Sequence, residues 1–363
     1  MSTPIPFFDG HNDFLLRLMK TPAPRNETWL GDGRMGHLDL ARMKSSGFAG
    51  GLFAIFVPPL GAGKPLDFKS AMANPPYHMP SPPQMTHAEA QPDALAMAGL
   101  LHWMERAAPD DFRVCLSSSD IRAAMGSNRI AGVMHLEGAE AIGPDLDALY
   151  LFHDMGLRSL GPVWSRDTIF GFGVPMAFPG TPDIGPGLTE KGKDLVRLCD
   201  ELGIMIDLSH LNEKGFDDVA ATSTAPLVAT HSNAHALCDS PRNLTDRQLH
   251  MIRERNGMVG FNFATFYLNE NGTADTTLGW DPIRRQLDHL ITELGEDHVG
   301  LGSDFDGCVL PDLIGDVTGV PRLFKAMQAH GYDDALIAKL ARDNWLACLE
   351  RCLKTSNASP QDR

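Results

Sequence analysis

The chain has 363 residues, of which 43% are hydrophobic and 21% charged, and this composition is typical of a globular protein with a substantial core. Its formal charge of −15 leaves no basic stripe for a nucleic-acid backbone or an anionic membrane surface, so neither is an expected partner. No basic segment followed by an apolar core opens the chain and its six cysteines are scattered, which favours a cytoplasmic protein.

Eight short apolar runs, each bounded by Gly, Pro or a polar cluster, are typical of buried strands. They are residues 5–9, 48–57, 130–136, 157–163, 204–208, 227–230, 258–262 and 299–302. Segments of helical period lie between most of them, at 92–106, 188–202, 245–255, 282–294 and 334–352. This alternation predicts a parallel sheet covered by helices, and eight repeats close into a (β/α)8 TIM-type barrel. We expect one catalytic domain over residues 1–363.

A segment rich in Pro, Gly and Met, residues 58–91, interrupts the alternation of strands and helices between the second strand and its helix. It is too long for an ordinary connection in such a fold, and long loops in compact folds are often functional. It either covers the active site, contacts a partner subunit in a homodimer, or forms a passive surface excursion.

Residues that bind metals stand at the ends of four of the predicted strands. His11 and Asp13 are two apart, so an extended backbone sends both to one side. Glu137 ends a hydrophobic strand, and a buried carboxylate needs a cationic partner. His210 and His231 end two consecutive strands, which lie about 5 Å apart in a parallel barrel and can converge on one ion. The pattern predicts a metal-dependent hydrolase.

Two further residues at strand ends suggest how such a site works. Asp304 follows the small residues Gly302 and Ser303, and a carboxylate beside a metal-bound water can accept its proton and later return it to a leaving amine. Arg242 lies on the loop after the sixth strand, where it either clamps a substrate carboxylate or forms an exposed structural ion pair.

Taken in order, these motifs resemble the renal (membrane) dipeptidase family of the amidohydrolase superfamily along nearly the whole chain. The matching segments are Asp-Gly-His-Asn-Asp at 9–13, His-Leu-Glu-Gly at 135–138, Asp-Leu-Ser-His at 207–210, His-Ser-Asn at 231–233, Pro-Arg-Asn at 241–243 and Gly-Ser-Asp-Phe-Asp-Gly at 302–307. The resemblance implies a (β/α)8 barrel with two zinc ions bridged by a glutamate and a water or hydroxide.

By motif match, the resemblance assigns a role to each strand-end residue. One zinc is held by His11, Asp13 and Glu137, and the other by Glu137, His210 and His231. Asp304 matches the family's proton-transferring aspartate. Arg242 matches the arginine that binds the carboxylate of the substrate's C-terminal residue, which in this family is often a D-residue.

The chain departs from the family pattern after the fourth strand. Trp164 stands where the family commonly has a histidine near the scissile carbonyl. Tryptophan has an N–H donor but cannot take a proton as an imidazole does. Stabilisation of the oxyanion is therefore expected from Trp164, from Arg166 or mainly from zinc.

Three hypotheses follow. The first is a binuclear zinc dipeptidase that acts on small dipeptides, L,D-dipeptides included. The second keeps the metals but changes the bond to another amide, an ester, a lactone or a β-lactam. The third is a metal-binding barrel without catalysis, against which Asp304 argues, because a closed structural zinc site has no use for a base.

Overall fold

The computed structural model describes residues 4–31, 35–59 and 67–353. In these segments eleven strands are found: β1 (Phe7–Asn12), β2 (Phe48–Phe56), β3 (Tyr77–Met79), β4 (Phe112–Val114), β5 (Ile130–Glu137), β6 (Leu157–Gly161), β7 (Met176–Phe178), β8 (Met205–Ile206), β9 (Val228–Ala229), β10 (Met258–Phe261) and β11 (Val299–Leu301). Each of the eight predicted strand runs overlaps one of them, while β3, β4 and β7 were not predicted.

Eight strands form a closed parallel barrel. Neighbouring strands pair in the order β8, β6, β5, β2, β1, β11, β10, β9, and every pair along this path is parallel. A bridge between Asp207 and Val228, with a 2.8 Å bond from the Leu208 amide to the Val228 carbonyl, joins the two ends. The predicted (β/α)8 barrel is confirmed, and the carboxyl ends of its strands lie at one edge.

Helices cover the barrel on its outside. They are α1 (Phe14–Lys20), α2 (Arg25–Leu30), α3 (Leu40–Ser46), α4 (Phe68–Ala71), α5 (His87–Ala107), α6 (Ser118–Gly126), α7 (Asp147–Asp154), α8 (Glu190–Leu202), α9 (Glu213–Thr222), α10 (Asp246–Glu254), α11 (Thr265–Leu268), α12 (Trp280–Leu294), α13 (Val320–His330), α14 (Asp334–Ala338) and α15 (Asn344–Cys352). The longer ones are amphipathic: in α12 the buried residues Ile283, Leu287, Leu290 and Leu294 share one face.

Two predicted helices differ from the sequence expectation. The helix predicted from residue 92 begins at His87, because Thr86 and Glu89 form a reciprocal capping box that starts it earlier and leaves Pro92 inside. The helix predicted at 334–352 is divided into α14 and α15 by a π-helical turn at Lys339–Asp343.

The described part of the long 58–91 segment has regular structure. It contains α4 and the strand β3, which pairs antiparallel with β7 from the loop after β6. The Tyr77 hydroxyl donates to the Gly272 carbonyl at 2.8 Å, which ties the segment to the loop after β10. Residues 60–66 lie outside the described residues, and contact with a partner subunit stays a prediction.

The core follows from the continuous burial of the strands. All eight residues of β5 and all six of β1 are buried, as expected for parallel strands covered on both faces. Trp345 of α15 packs against Gly10 and Gly300 and donates its indole N–H to the Leu301 carbonyl at 2.8 Å. Within the described ranges, no helix is long and apolar enough to cross a membrane.

Candidate active site

The strand ends bring the predicted metal-binding residues together at the carboxyl edge of the barrel. His11 lies in β1, Asp13 directly after it and Glu137 at the last position of β5. His210 and His231 follow β8 and β9 by a few residues. All five side chains are buried, with at most 7% of any side chain exposed.

Glu137 lies at the centre of the cluster, between two groups of imidazoles. Its Oε2 is 3.7 Å from the Nε2 of His11. Its Oε1 is 3.1 Å from the Nε2 of His210 and 3.5 Å from that of His231. Ligand bonds of about 2.0–2.2 Å at a tetrahedral ion place two ligand atoms roughly 3.4 Å apart, so these separations suit shared coordination.

His11 has polar atoms without hydrogen bonds. Both of its ring nitrogens are buried without a hydrogen-bond partner among the described residues, and its Nε2 is 3.5 Å from Asp13 Oδ2. A buried polar atom without a partner is costly in a folded protein, so an arrangement of this kind fits an ion that supplies the missing contacts. Three imidazoles and two carboxylates are a donor set that binds zinc.

Hydrogen bonds behind His231 fix its tautomer. The Thr230 hydroxyl donates its proton to Asp207 Oδ2 at 2.6 Å. The 2.8 Å contact between Thr230 Oγ1 and His231 Nδ1 is therefore made by the imidazole N–H, and the lone pair is left on Nε2. Burial alone raises the pKa of Asp207, but His135 and hydrogen bonds from Thr230 and Ser209 hold it below its usual value.

His210 is oriented in a similar way by Ser165, whose hydroxyl is 2.9 Å from its Nδ1. The two Nε2 atoms of His210 and His231 are 3.2 Å apart. When the proton of His210 is on Nδ1, both Nε2 atoms carry lone pairs, which repel each other at that distance and favour a cation beside them. His210 also has a φ of +69°, and such a left-handed conformation in a non-glycine residue is a strain that tends to persist at functional sites.

The electrostatics of the cluster favour neutral imidazoles and demand positive charge. Burial lowers the pKa of His11 to about 4 and lowers the pKa of His210 and of His231 well below its usual value. Burial, together with the neighbouring carboxylate Asp306, raises the pKa of Asp13 to about 7. Burial and then Asp13 raise the pKa of Glu137 well above its usual value. Neutral imidazoles and mutually repelling carboxylates fit a divalent metal.

Asp304 lies beside this cluster on the loop after β11. One of its carboxylate oxygens lies within 4.8 Å of ligand atoms of His11 and Asp13, and Asn262 donates to its Oδ2 at 3.1 Å. Burial and the neighbouring Asp13 raise its pKa to about 6. A Cβ at Gly307 would lie 2.0 Å from Asp13 Oδ2, so only glycine permits this close approach.

Arg242 is buried at the edge of the site and is not the exposed ion pair that the sequence left open. Its Nη2 donates to the His231 carbonyl and its Nη1 to the Ser232 hydroxyl, both at 3.0 Å. Its guanidinium lies 5.7 Å from the ring centre of Tyr267. Its Nε has no partner among the described residues, which leaves a buried donor available to a ligand.

Trp164 borders the same space. Its ring is 5.8 Å from that of His210 and makes an edge contact with Phe56 at 4.9 Å. Arg166 instead lies fully buried, with Nε and Nη2 donating to Glu140 Oε1 at 2.9 and 2.7 Å and Nη2 also to the Val57 carbonyl. Arg166 is therefore part of a buried ion pair, but its Nη1 has no hydrogen-bond partner among the described residues, and its role in oxyanion stabilisation stays a prediction.

Sequence reasoning missed the residues that hold the cluster in place. Asp207, Thr230 and Ser165 support the two histidines, and Asn262 supports Asp304. Spacing gives a partial signal only for Asp207, which stands three residues before His210. His135 is also buried beside the cluster, where its Nδ1 is 2.9 Å from the Ser159 hydroxyl.

Comparison with known proteins agrees with this geometry. A family model described as membrane dipeptidase (peptidase family M19) matches residues 1–363. A solved dipeptidase described as a metallopeptidase of family M19 is 60% identical, with a TM-score of 0.94, and the match covers 98% of this chain and 100% of that one.

Two more relatives are similar. A metallopeptidase from Rhodobacter sphaeroides, solved with a phosphinate mimic of the dipeptide L-Ala-D-Ala, is 61% identical with a TM-score of 0.94, covering 96% of this chain and 99% of that one. An uncharacterized protein encoded in the pqqA 5′ region of Klebsiella pneumoniae is 49% identical over 238 residues, which are 66% of this chain and 88% of that protein.

Proposed function

Because this chain belongs to the membrane dipeptidase family (peptidase family M19), a family of metallo-dipeptidases, we propose that it uses two zinc ions to hydrolyse small dipeptides, including L,D-dipeptides. Metal-dependent dipeptidase activity is the property of the family. The number and kind of ions, the stereochemistry of the substrate and the roles of single residues are our proposals. The L-Ala-D-Ala mimic bound by the Rhodobacter sphaeroides relative supports the L,D preference.

The position of Glu137 is the observation that carries the two-ion proposal. Its two carboxylate oxygens face different imidazoles, Oε2 towards His11 and Oε1 towards His210 and His231. A carboxylate placed in this way can bind one ion through each oxygen. His11, Asp13 and Glu137 would hold the first zinc, and Glu137, His210 and His231 the second.

When bound, zinc supplies Lewis-acid polarisation of a carbonyl and lowers the pKa of a water molecule. We propose that Asp304 moves the proton. Burial and the neighbouring Asp13 raise the pKa of its carboxylate, which makes it a stronger base, and the Asn262 amide donates to its Oδ2. We assign Asp304 as the group that accepts a proton from the nucleophile and delivers it to the leaving amine.

Arg242 and Trp164 would position the substrate. The partnerless Nε of Arg242 and the remaining N–H groups of its guanidinium can pair with the terminal carboxylate of a dipeptide. Trp164 and Phe56 form an aromatic wall beside His210, which suits an apolar substrate side chain. The indole N–H of Trp164 can donate a hydrogen bond but accepts no proton.

The test combines a substrate panel with metal analysis. We expect zinc-reconstituted enzyme to hydrolyse L-Ala-L-Ala and L-Ala-D-Ala, and to lose turnover on chelation. The strand-end cluster should hold close to two ions per chain, and Glu137→Gln should weaken the retention of both. Turnover of a lactone or β-lactam without turnover of any dipeptide would replace the dipeptide assignment, and a single ion in that cluster would refute the bridging role.

Three wider properties belong with the proposal. We propose a single catalytic domain, since the barrel takes its first strand from residue 7 and its last from residue 301. A cytoplasmic location is supported by six cysteines that are all free, five of them buried. A homodimer stays a prediction that sedimentation equilibrium would test.

A further inference from the structure

Four side chains with metal-binding atoms meet on the outside of the barrel, between α10 and α12. Asp246 and His250 lie four residues apart on α10, and His289 and Glu293 lie four apart on α12, so each pair shares one helix face. His250 Nε2 is 2.6 Å from Glu293 Oε2, and His289 Nε2 is 2.7 Å from Asp246 Oδ1. The two pairs join the helices across their contact.

Three of the four groups lie close enough together to share one ion, and His250 adjoins them through Glu293. The ligand atoms of Asp246, His289 and Glu293 all lie within 4.8 Å of one another, and His250 bonds the Glu293 member of that group. The side chains are between 21% and 46% exposed, so an ion can enter from solvent. The guanidinium of Arg253 donates to the backbone carbonyl of Glu293 and leaves its carboxylate to the cluster.

The chemistry of the group selects a class of ion. Two imidazoles with two carboxylates are ligands for borderline divalent cations such as zinc, nickel and copper, whereas calcium and magnesium prefer oxygen alone. Four donors match the tetrahedral coordination of a structural zinc site. To bind one ion, the present contacts of 2.6 and 2.7 Å need to open by less than about 1 Å, since ligands of one ion stand roughly 3.4 Å apart, and the His250 side chain needs to turn towards Asp246 and His289.

We propose that Asp246, His250, His289 and Glu293 form a peripheral site for zinc or a similar cation that clamps α10 to α12. The site shares no residue with the cluster at the strand ends and takes no part in hydrolysis. Because its ligands come from two helices that separate on unfolding, the ion binds the folded chain and stabilises it in proportion to its concentration.

The test compares zinc binding by the full-length protein and by single variants. Wild type, His289→Ala and His250→Ala are stripped with a chelator and equilibrated with zinc, and bound metal is measured per chain. We expect each variant to bind one equivalent less than wild type and to keep its dipeptidase turnover. The temperature of unfolding should rise with zinc less in the variants than in wild type.

His330→Ala is the matched control, because His330 is partly exposed and pairs with one carboxylate, Asp288, at 3.3 Å on the neighbouring helix. It should bind as much zinc as wild type. All variants share the strand-end cluster, so the difference does not depend on how many ions that cluster holds. Equal zinc content in wild type, His289→Ala and His250→Ala would overturn the proposal and leave two hydrogen-bonded pairs. Asp246→Asn, which keeps the side-chain shape, provides the same comparison if an alanine variant fails to fold.

Discussion

If Arg242 binds the terminal carboxylate of the substrate, then removing the guanidinium and removing the carboxylate delete the same interaction. The two perturbations are Arg242→Ala in the enzyme and amidation of the C-terminal carboxylate in L-Ala-D-Ala. Each should lower kcat/KM by a similar factor. Combining them should cost little more than either alone.

The magnitude follows from the donors that Arg242 has left. A guanidinium carries five N–H groups, of which the protein engages one on Nη1 and one on Nη2, and Nε has no partner. A hydrogen bond to a charged group is worth about 1.5–3 kcal/mol. We therefore expect each single change to lower kcat/KM about tenfold to more than a hundredfold, with a coupling energy of the same size.

The assay is a double-mutant cycle on steady-state kcat/KM for the two enzymes and the two substrates. Arg242→Ala also removes bonds to the His231 carbonyl and to Ser232, so its metal content and melting temperature are measured in parallel. Those side effects act equally on both substrates and cancel in the coupling term. If the losses in kcat/KM from the two changes multiply fully, Arg242 does not bind the substrate's carboxylate.

Three other changes test the rest of the site. His210→Ala should lose one ion preferentially, because the His210 Nε2 faces only the Oε1 side of Glu137. The control His235→Ala should keep the metal content of wild type, since the His235 ring bonds the Gly180 carbonyl. Full metal occupancy in His210→Ala would contradict the ligand assignment. Asp304→Asn should keep metal and fold but lose about 10²–10⁴-fold in turnover, and near-normal turnover would reassign it to structure. Glu140→Gln should lower the free energy of unfolding by about 3–5 kcal/mol in urea titrations, since it leaves the Arg166 charge buried without its partner. The control Glu105→Gln, in the exposed pair with Arg113, should lower it by under about 1 kcal/mol. Equal effects would show that burial does not set the contribution of these ion pairs to stability.

Hydrophobic pattern and residue type were enough to predict the barrel. Apolar runs of four to ten residues separated by helical periods leave few other arrangements, because parallel strands need crossover helices and buried faces on both sides. The boundaries were less accurate. The first strand was predicted to end at residue 9 but continues to Asn12, since its polar residues His11 and Asn12 are buried at the strand end and interrupt the apolar signal.

The metal-binding residues were also accessible from the sequence, because each stands where an apolar strand ends and parallel strands end at one edge. Their supporting partners were not. Ser165 lies 45 residues from His210, and Asp207 bonds Thr230 at the end of the neighbouring strand, so neither contact is visible in local sequence. The pairing of Arg166 with Glu140, 26 residues away, is of the same kind.

The sequence by itself determined the fold class, the edge of the barrel where chemistry occurs and the donor types gathered there, since periodicity and residue type are local properties of the chain. Only the tertiary structure decided which oxygen of Glu137 faces which imidazole, that Arg242 is buried with its Nε lacking a partner, and that the 58–91 segment pairs with the loop after β6. Distances of 3 to 4 Å between side chains depend on how all eight strands close together. The cluster between α10 and α12 arises for the same reason, because two unremarkable i,i+4 pairs form a site only when the helices pack side by side.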